Sequence, residues 1–172
     1  MDKKRMLLVI SAVIALVGII LAFTGALISS TIYDGKVSAG IGVHVVIISL
    51  IFIAAIICLY MYTKTIAGEN GLTRNHIIVL GGSALSGFFF ALASGYYGRA
   101  TFLNDYYMYV YGSSDDAPGW YFDDVLDSDW FVWLPEIADE YASTGTMWYI
   151  VTVVAIAATA YMAYKAFRPS DK

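Results

Sequence analysis

The sequence predicts an all-α membrane protein: a four-transmembrane-helix bundle with an acidic, aromatic-rich extracytoplasmic cap of about 48 residues between helices 3 and 4. Three observations predict it. Hydrophobic residues make up 59% of the 172 residues and mean hydropathy is +0.68, too apolar for a water-soluble globule. Four apolar runs are each long enough, at about 1.5 Å per residue, to cross a hydrocarbon core about 30 Å thick. Charge is also polarised along the chain. Residues 98–145 hold ten of the fourteen acids against Arg99 alone, a net of −9, which leaves +5 for the rest.

The elements follow in order. Met1–Arg5 is a basic flank, and Met6–Ser29 is the first span. Its uncharged run exceeds the roughly 7–15 residues of a signal-peptide core, so a retained helix is expected. Ser30–Gly40 reads as a short polar connection with a turn at Tyr33-Asp34-Gly35-Lys36. Ile41–Thr63 is the second span, with Tyr60 and Tyr62 at interfacial height. Lys64–Asn75 is a short loop around Gly68-Glu69-Asn70-Gly71. His76–Tyr97 is the third span, 98–145 the cap, and Thr146–Phe167 the fourth span, with Lys165 near its end.

Seven of the ten Lys and Arg residues lie in the N-terminal flank, the 64–75 loop and the C-terminal tail, and an eighth, Lys165, closes the fourth span next to that tail. The positive-inside bias therefore predicts a multi-pass protein of the cell membrane with both termini cytoplasmic and the cap outside. No acidic or basic residue lies within a span except Lys165 at the end of the fourth, which argues against a pump, transporter or voltage sensor.

Small residues recur every three or four positions: Ser11, Ala15, Gly18, Ala22 and Ala26 in the first span, Ser83, Gly87, Ala91 and Gly95 in the third, Ala155, Thr159 and Ala163 in the fourth. Such stripes let helix backbones approach closely where lipid is as apolar as the side chains. We therefore expect Gly18, Ala22, Ala26, Ser83, Gly87, Ala91 and Gly95 to pack helices. The second span has no stripe and is rich in Ile and Val, so it is expected to face lipid more.

His44 falls near the outer end of the second span and His76 near the inner end of the third, too far apart to share one metal or haem. Both are expected at the interfaces, His76 as a helix-start residue, with His44 able to join cap carboxylates. The single cysteine, Cys58, excludes an intrachain disulfide and reads as a packing residue.

Within the cap, Tyr107, Tyr109 and Tyr111 alternate with Met108 and Val110. That spacing fits a strand, and a helical extension of the third span is the open alternative. Gly112–Gly119 reads as a loop. Trp130, Trp133, Leu134, Ile137, Ala138 and Tyr141 share one helical face, and Pro135 suits the start of a second short helix over Pro135–Ala142. Trp120, Trp130, Trp133 and Tyr141 are the expected partner contacts, since Trp and Tyr dominate interface energetics. Asp123, Asp124, Asp127 and Asp129 could supply oxygens to a divalent cation, although their spacing is not that of a helix-loop-helix calcium site.

These features set the functional expectations. No Gly-rich phosphate loop, Ser/His/Asp arrangement or His-Glu-x-x-His element occurs, so nothing in the chain supports catalysis and no cofactor is expected. The acidic cap would repel nucleic acid. The reading is a non-catalytic membrane protein that works by protein–protein contact, as an accessory subunit or scaffold, with lipid and other membrane subunits or a second copy as partners. The alternatives are an extracytoplasmic cation- or ligand-binding module and a structural subunit of an enzyme complex whose chemistry lies on another chain. A small inner loop and a large outer loop between spans 3 and 4 resemble tetraspanins in topology. Tetraspanins carry paired cysteines in that loop, and this loop has none, so no family is assigned.

Overall fold

The computed structural model describes residues 3–33, 36–68, 71–113 and 129–167. In chain order these form α1 (Lys3–Thr24), β1 (Ser29–Tyr33), β2 (Lys36–Gly40), α2 (Gly42–Ala67), α3 (Arg74–Ser113), a single turn α4 (Asp129–Val132) and α5 (Leu134–Phe167). Four of the helices are long and apolar enough to span a membrane, as the apolar runs require.

Four boundaries differ from the sequence reading. First, α1 stops at Thr24 because Gly25 adopts φ +63°, a left-handed conformation that closes the helix, and the Ile28 amide donates to the Gly25 carbonyl at 2.9 Å. Ala26 therefore lies in the turn after α1, exposed, and packs no helix. Second, the 30–40 connection of this all-helical chain is a short antiparallel hairpin whose register runs from Ser29↔Gly40 to Tyr33↔Lys36. Asp34 and Gly35 at its tip lie outside the described residues.

Third, α3 does not end at Tyr97. It continues to Ser113, about 60 Å in all, twice the hydrocarbon thickness, which resolves 107–111 as helix rather than strand. Fourth, Pro135 starts no separate short helix. It sits in the first turn of α5, where its missing N–H costs nothing, and α5 then runs without a break into the fourth span for about 51 Å.

The helices alternate in direction, as the Ser11–Ala55, Phe52–Gly87 and Gly82–Thr159 contacts require, so Lys3 and Phe167 lie at one end of the bundle and the hairpin, α4 and the start of α5 at the other. α2 packs against both α1 and α3, while α5 packs almost wholly on α3. The second span is thus not the one most given to lipid; α5 is. The reason lies in the glycines of its neighbours. A Cβ at Gly18 would meet Ile51 at 3.0 Å, one at Gly87 would meet Phe52 at 2.9 Å, and one at Gly95 would meet Val45 at 3.3 Å. The large side chains of α2 fill hollows that α1 and α3 provide, so α2 needs no small residues of its own.

Ala22, Ile48 and Ala91 form the buried centre of this layer. The Ser11 hydroxyl donates to the Ala55 carbonyl at 2.8 Å, tying α1 to α2. Between α3 and α5 the seam is aromatic: Phe89 stacks on Trp148 at 5.6 Å, and Tyr149 meets Phe90 and Tyr97 edge-on at 6.0 Å each. At its upper end Gly145 lies against the Ala93 and Tyr97 backbone, and at its lower end Gly82 lies against Thr159. His76 helps start α3, its Nδ1 accepting from the Thr73 amide at 3.1 Å.

Candidate functional site

A second core lies towards the C-terminal end of α3. Val37 from β2, Leu103 and Val110 from α3, Phe131 from α4, and Leu134 and Ala138 from α5 are all buried together. On α3 the contributors recur at Leu103, Tyr106, Tyr107 and Val110, the three-to-four-residue period of one helix face. Phe131 stacks on Tyr107 at 4.9 Å, and Tyr107 stacks on Tyr111 at 6.0 Å. The hairpin, α4 and the ends of α3 and α5 thus form one outer tier without a disulfide.

Of the residues singled out from sequence, Trp133 is 56% exposed, and Tyr141 is turned inward. Tyr141 stacks on Tyr96 at 6.2 Å, and the Arg99 guanidinium lies over its ring at 4.0 Å. Trp133 leaves the face it was expected to share with Leu134 and Ala138 because it is the turn between α4 and α5, which breaks the helical phase. Among the described residues the buried aromatic of this segment is Phe131, which the spacing did not mark. The side chain of Trp130 and the whole of Trp120 lie outside the described residues, as do Asp123, Asp124, Asp127 and the side chain of Asp129.

Among the described residues, no three His, Cys, Asp or Glu side chains converge as a metal site. Asp105, Glu136, Asp139 and Glu140 all point to solvent. His44 is not an interfacial residue reaching for cap carboxylates. It is fully buried between α2 and α3, with Nε2 2.9 Å from the Ser94 hydroxyl. That hydroxyl donates to the Ala91 carbonyl at 3.2 Å and so accepts from Nε2–H, which leaves Nδ1 bare and buried without a hydrogen-bond partner. A lone buried imidazole bonded to a serine, with no third group aligned, is a helix-to-helix tie rather than a catalytic pair.

The outer tier has one further property. Met108, Tyr109 and Tyr111 on α3 and Val132 and Trp133 beside α4 are each 56–67% exposed. Tyr109 stands 35 residues beyond Arg74, about 52 Å along α3, a longer path than the roughly 30 Å thickness of a hydrocarbon core. Comparison of the chain with protein-family models, with curated proteins and with solved structures finds no match.

Proposed function

We propose that this chain is a non-catalytic integral membrane protein that acts by protein–protein contact, as an accessory subunit or scaffold of a membrane complex, through its outer tier. The observation that carries the reading is the exposure of Met108, Tyr109, Tyr111, Val132 and Trp133. Apolar side chains on the membrane-spanning stretches are matched by lipid, but these five are set on a rigid tier beyond its reach. Large aromatic groups held in water on a packed scaffold are the usual anchors of a protein interface. The surrounding Asp105, Glu136, Asp139 and Glu140 give that surface a negative rim, which favours a partner with a basic one.

In this reading the basic ends of the helices are cytoplasmic and the outer tier is extracytoplasmic, following the Lys and Arg distribution. A reporter enzyme fused after Lys172 should be active only in the cytoplasm. Contact is tested by a photo-crosslinking residue at Trp133, with Val153, an exposed residue of the fourth span, as the control position. A discrete protein adduct from position 133, lost when Tyr109→Ser is added, supports the reading. A monodisperse monomer with no adduct from position 133 in its native membrane overturns it.

A further inference from the structure

The helices leave a cleft in the membrane-spanning tier that the proposed contact surface does not use. α1 and α5 stand apart on one side of α3. Between them lies a cleft of about 630 Å³ with Ile19 and Phe23 on one wall, Ile156 and Ala160 on the other, and Ser83 and Gly87 on the floor. Its floor runs from Val79 to Phe90, about 16 Å along α3, or roughly the depth of one leaflet of a 30 Å core. Phe23 and Phe90, in edge contact at 5.7 Å, close the end towards the outer tier.

The lining selects the chemistry of an occupant. The two serine hydroxyls of the floor are already spent, Ser83 donating to the Val79 carbonyl and Ser86 to the Gly82 carbonyl, each at 2.8 Å. Neither serine is left as a free donor for a polar ligand, and Thr159 is the one other polar side chain in an otherwise apolar lining. Spread over 16 Å, 630 Å³ is a mean cross-section of about 40 Å², roughly half that of a helix with its side chains, so a transmembrane helix does not fit inside. A hydrocarbon chain does.

Charge identifies the head that goes with that chain. Counting along the helices from the Ser11–Ala55, Phe52–Gly87 and Gly82–Thr159 contacts brings Arg5, Lys64, Arg74 and Lys165 within about one turn of the same level. All four are exposed there, just below the end of the cleft marked by Val79. Arg5 stands 18 residues before Phe23, five full turns, and so shares the face of α1 that walls the cleft. The cleft is thus closed by phenylalanines about 24–27 Å from the cationic level, counted along α3 from Arg74 and along α1 from Arg5, and met at its other end by cations at the headgroup level. That is the complement of an anionic phospholipid in the leaflet on the side of the chain termini.

We infer that this cleft is a specific site for an anionic phospholipid, with one acyl chain between α1 and α5 and its phosphate held at the level of Arg5. The inference rests on the membrane-spanning tier alone and stands or falls separately from the contact surface. The test uses the full chain in mild detergent and native mass spectrometry after exchange into phosphatidylglycerol or phosphatidylcholine with the same acyl chains. One phosphatidylglycerol per chain should remain bound, several-fold more than phosphatidylcholine. Ala160→Phe, which fills the cleft, should lower retention about tenfold. Ala158→Phe, on the opposite face of α5, should leave it unchanged. Arg5→Gln should keep lipid binding but reduce the headgroup preference about fivefold. Should Ala160→Phe not yield a monodisperse protein, Ala160→Leu serves at smaller amplitude. Equal retention of the two lipids, or equal retention by wild type and the cleft-filling variant, overturns the assignment.

Discussion

The seam between α3 and α5 makes the sharpest stability prediction. Ala at position 145 would place a methyl 3.1 Å from the Tyr97 amide nitrogen and 3.2 Å from both the Ala93 carbonyl oxygen and the Tyr97 ring. Two of these three neighbours are main-chain atoms, which cannot swing away as a side chain can. The helices must part, and overpacking of this kind costs about 1–3 kcal/mol. Against that, Ala is better than Gly inside a helix by about 0.5–1 kcal/mol. Gly145→Ala should therefore be net destabilising by about 1 kcal/mol. Gly81, also within a helix, has nothing within 4 Å of an added Cβ, so Gly81→Ala should keep only the helix-forming gain. The difference between the two variants cancels that gain and isolates the cost of parting the helices. Reversible unfolding in mixed micelles gives both free energies. A Gly145→Ala protein as stable as Gly81→Ala would refute the close packing of α3 on α5.

Two further substitutions probe the outer core and the buried histidine. Phe131 is 3% exposed and stacked on Tyr107, so Phe131→Ala should cost about 3–5 kcal/mol, whereas Trp133→Ala, at an exposed ring, should cost at least 2 kcal/mol less; proteolytic susceptibility of the outer tier compares them, and equal losses would contradict the reversal of the two rings. Ser94→Ala strips His44 of its one hydrogen bond and should destabilise by about 1–3 kcal/mol, while Ser94→Ala with His44→Leu should recover most of that loss in thermal unfolding, because no polar group is then left buried.

The membrane-spanning tier was legible because its signal is long and local. Four apolar runs of spanning length need no tertiary knowledge. The outer tier was harder for a specific reason. Tyr107, Tyr109 and Tyr111 alternate as a strand would, but Leu103, Tyr107 and Val110 repeat at helical spacing in the same residues, and a helix already running at Tyr97 continues at no nucleation cost. Pro135 signalled a start correctly, yet not that the helix would go on through the membrane. Trp133 leaves the face that its spacing shares with Leu134 and Ala138 because a single turn residue between α4 and α5 shifts the helical phase, and that residue carries no turn signature. The hairpin went unseen because its two strands are five residues each, with Ser, Thr, Ala and Gly diluting the β-branched positions.

The place of α2 was also hidden in the sequence, and for an instructive reason. A stripe of small residues marks a surface that accepts a neighbour, but it does not say which neighbour. The glycines at 18, 87 and 95 point to one helix, α2, which has no stripe and contributes Ile51, Phe52 and Val45 instead. Close approach in this layer is therefore between unlike surfaces, hollow against knob, and α2 is fixed from both sides. α5 has only one such neighbour, and the seam with α3 does not cover its remaining faces. One of those faces forms a wall of the cleft opposite α1, while the start of the same helix lies in the outer core through Leu134 and Ala138. A single unbroken helix thus joins the two surfaces to which functions are assigned here. Ala160 lies 26 residues along it from Leu134, about 39 Å, and Trp133 immediately precedes that start, far enough that lipid retention and partner contact should respond independently to substitutions at the two positions.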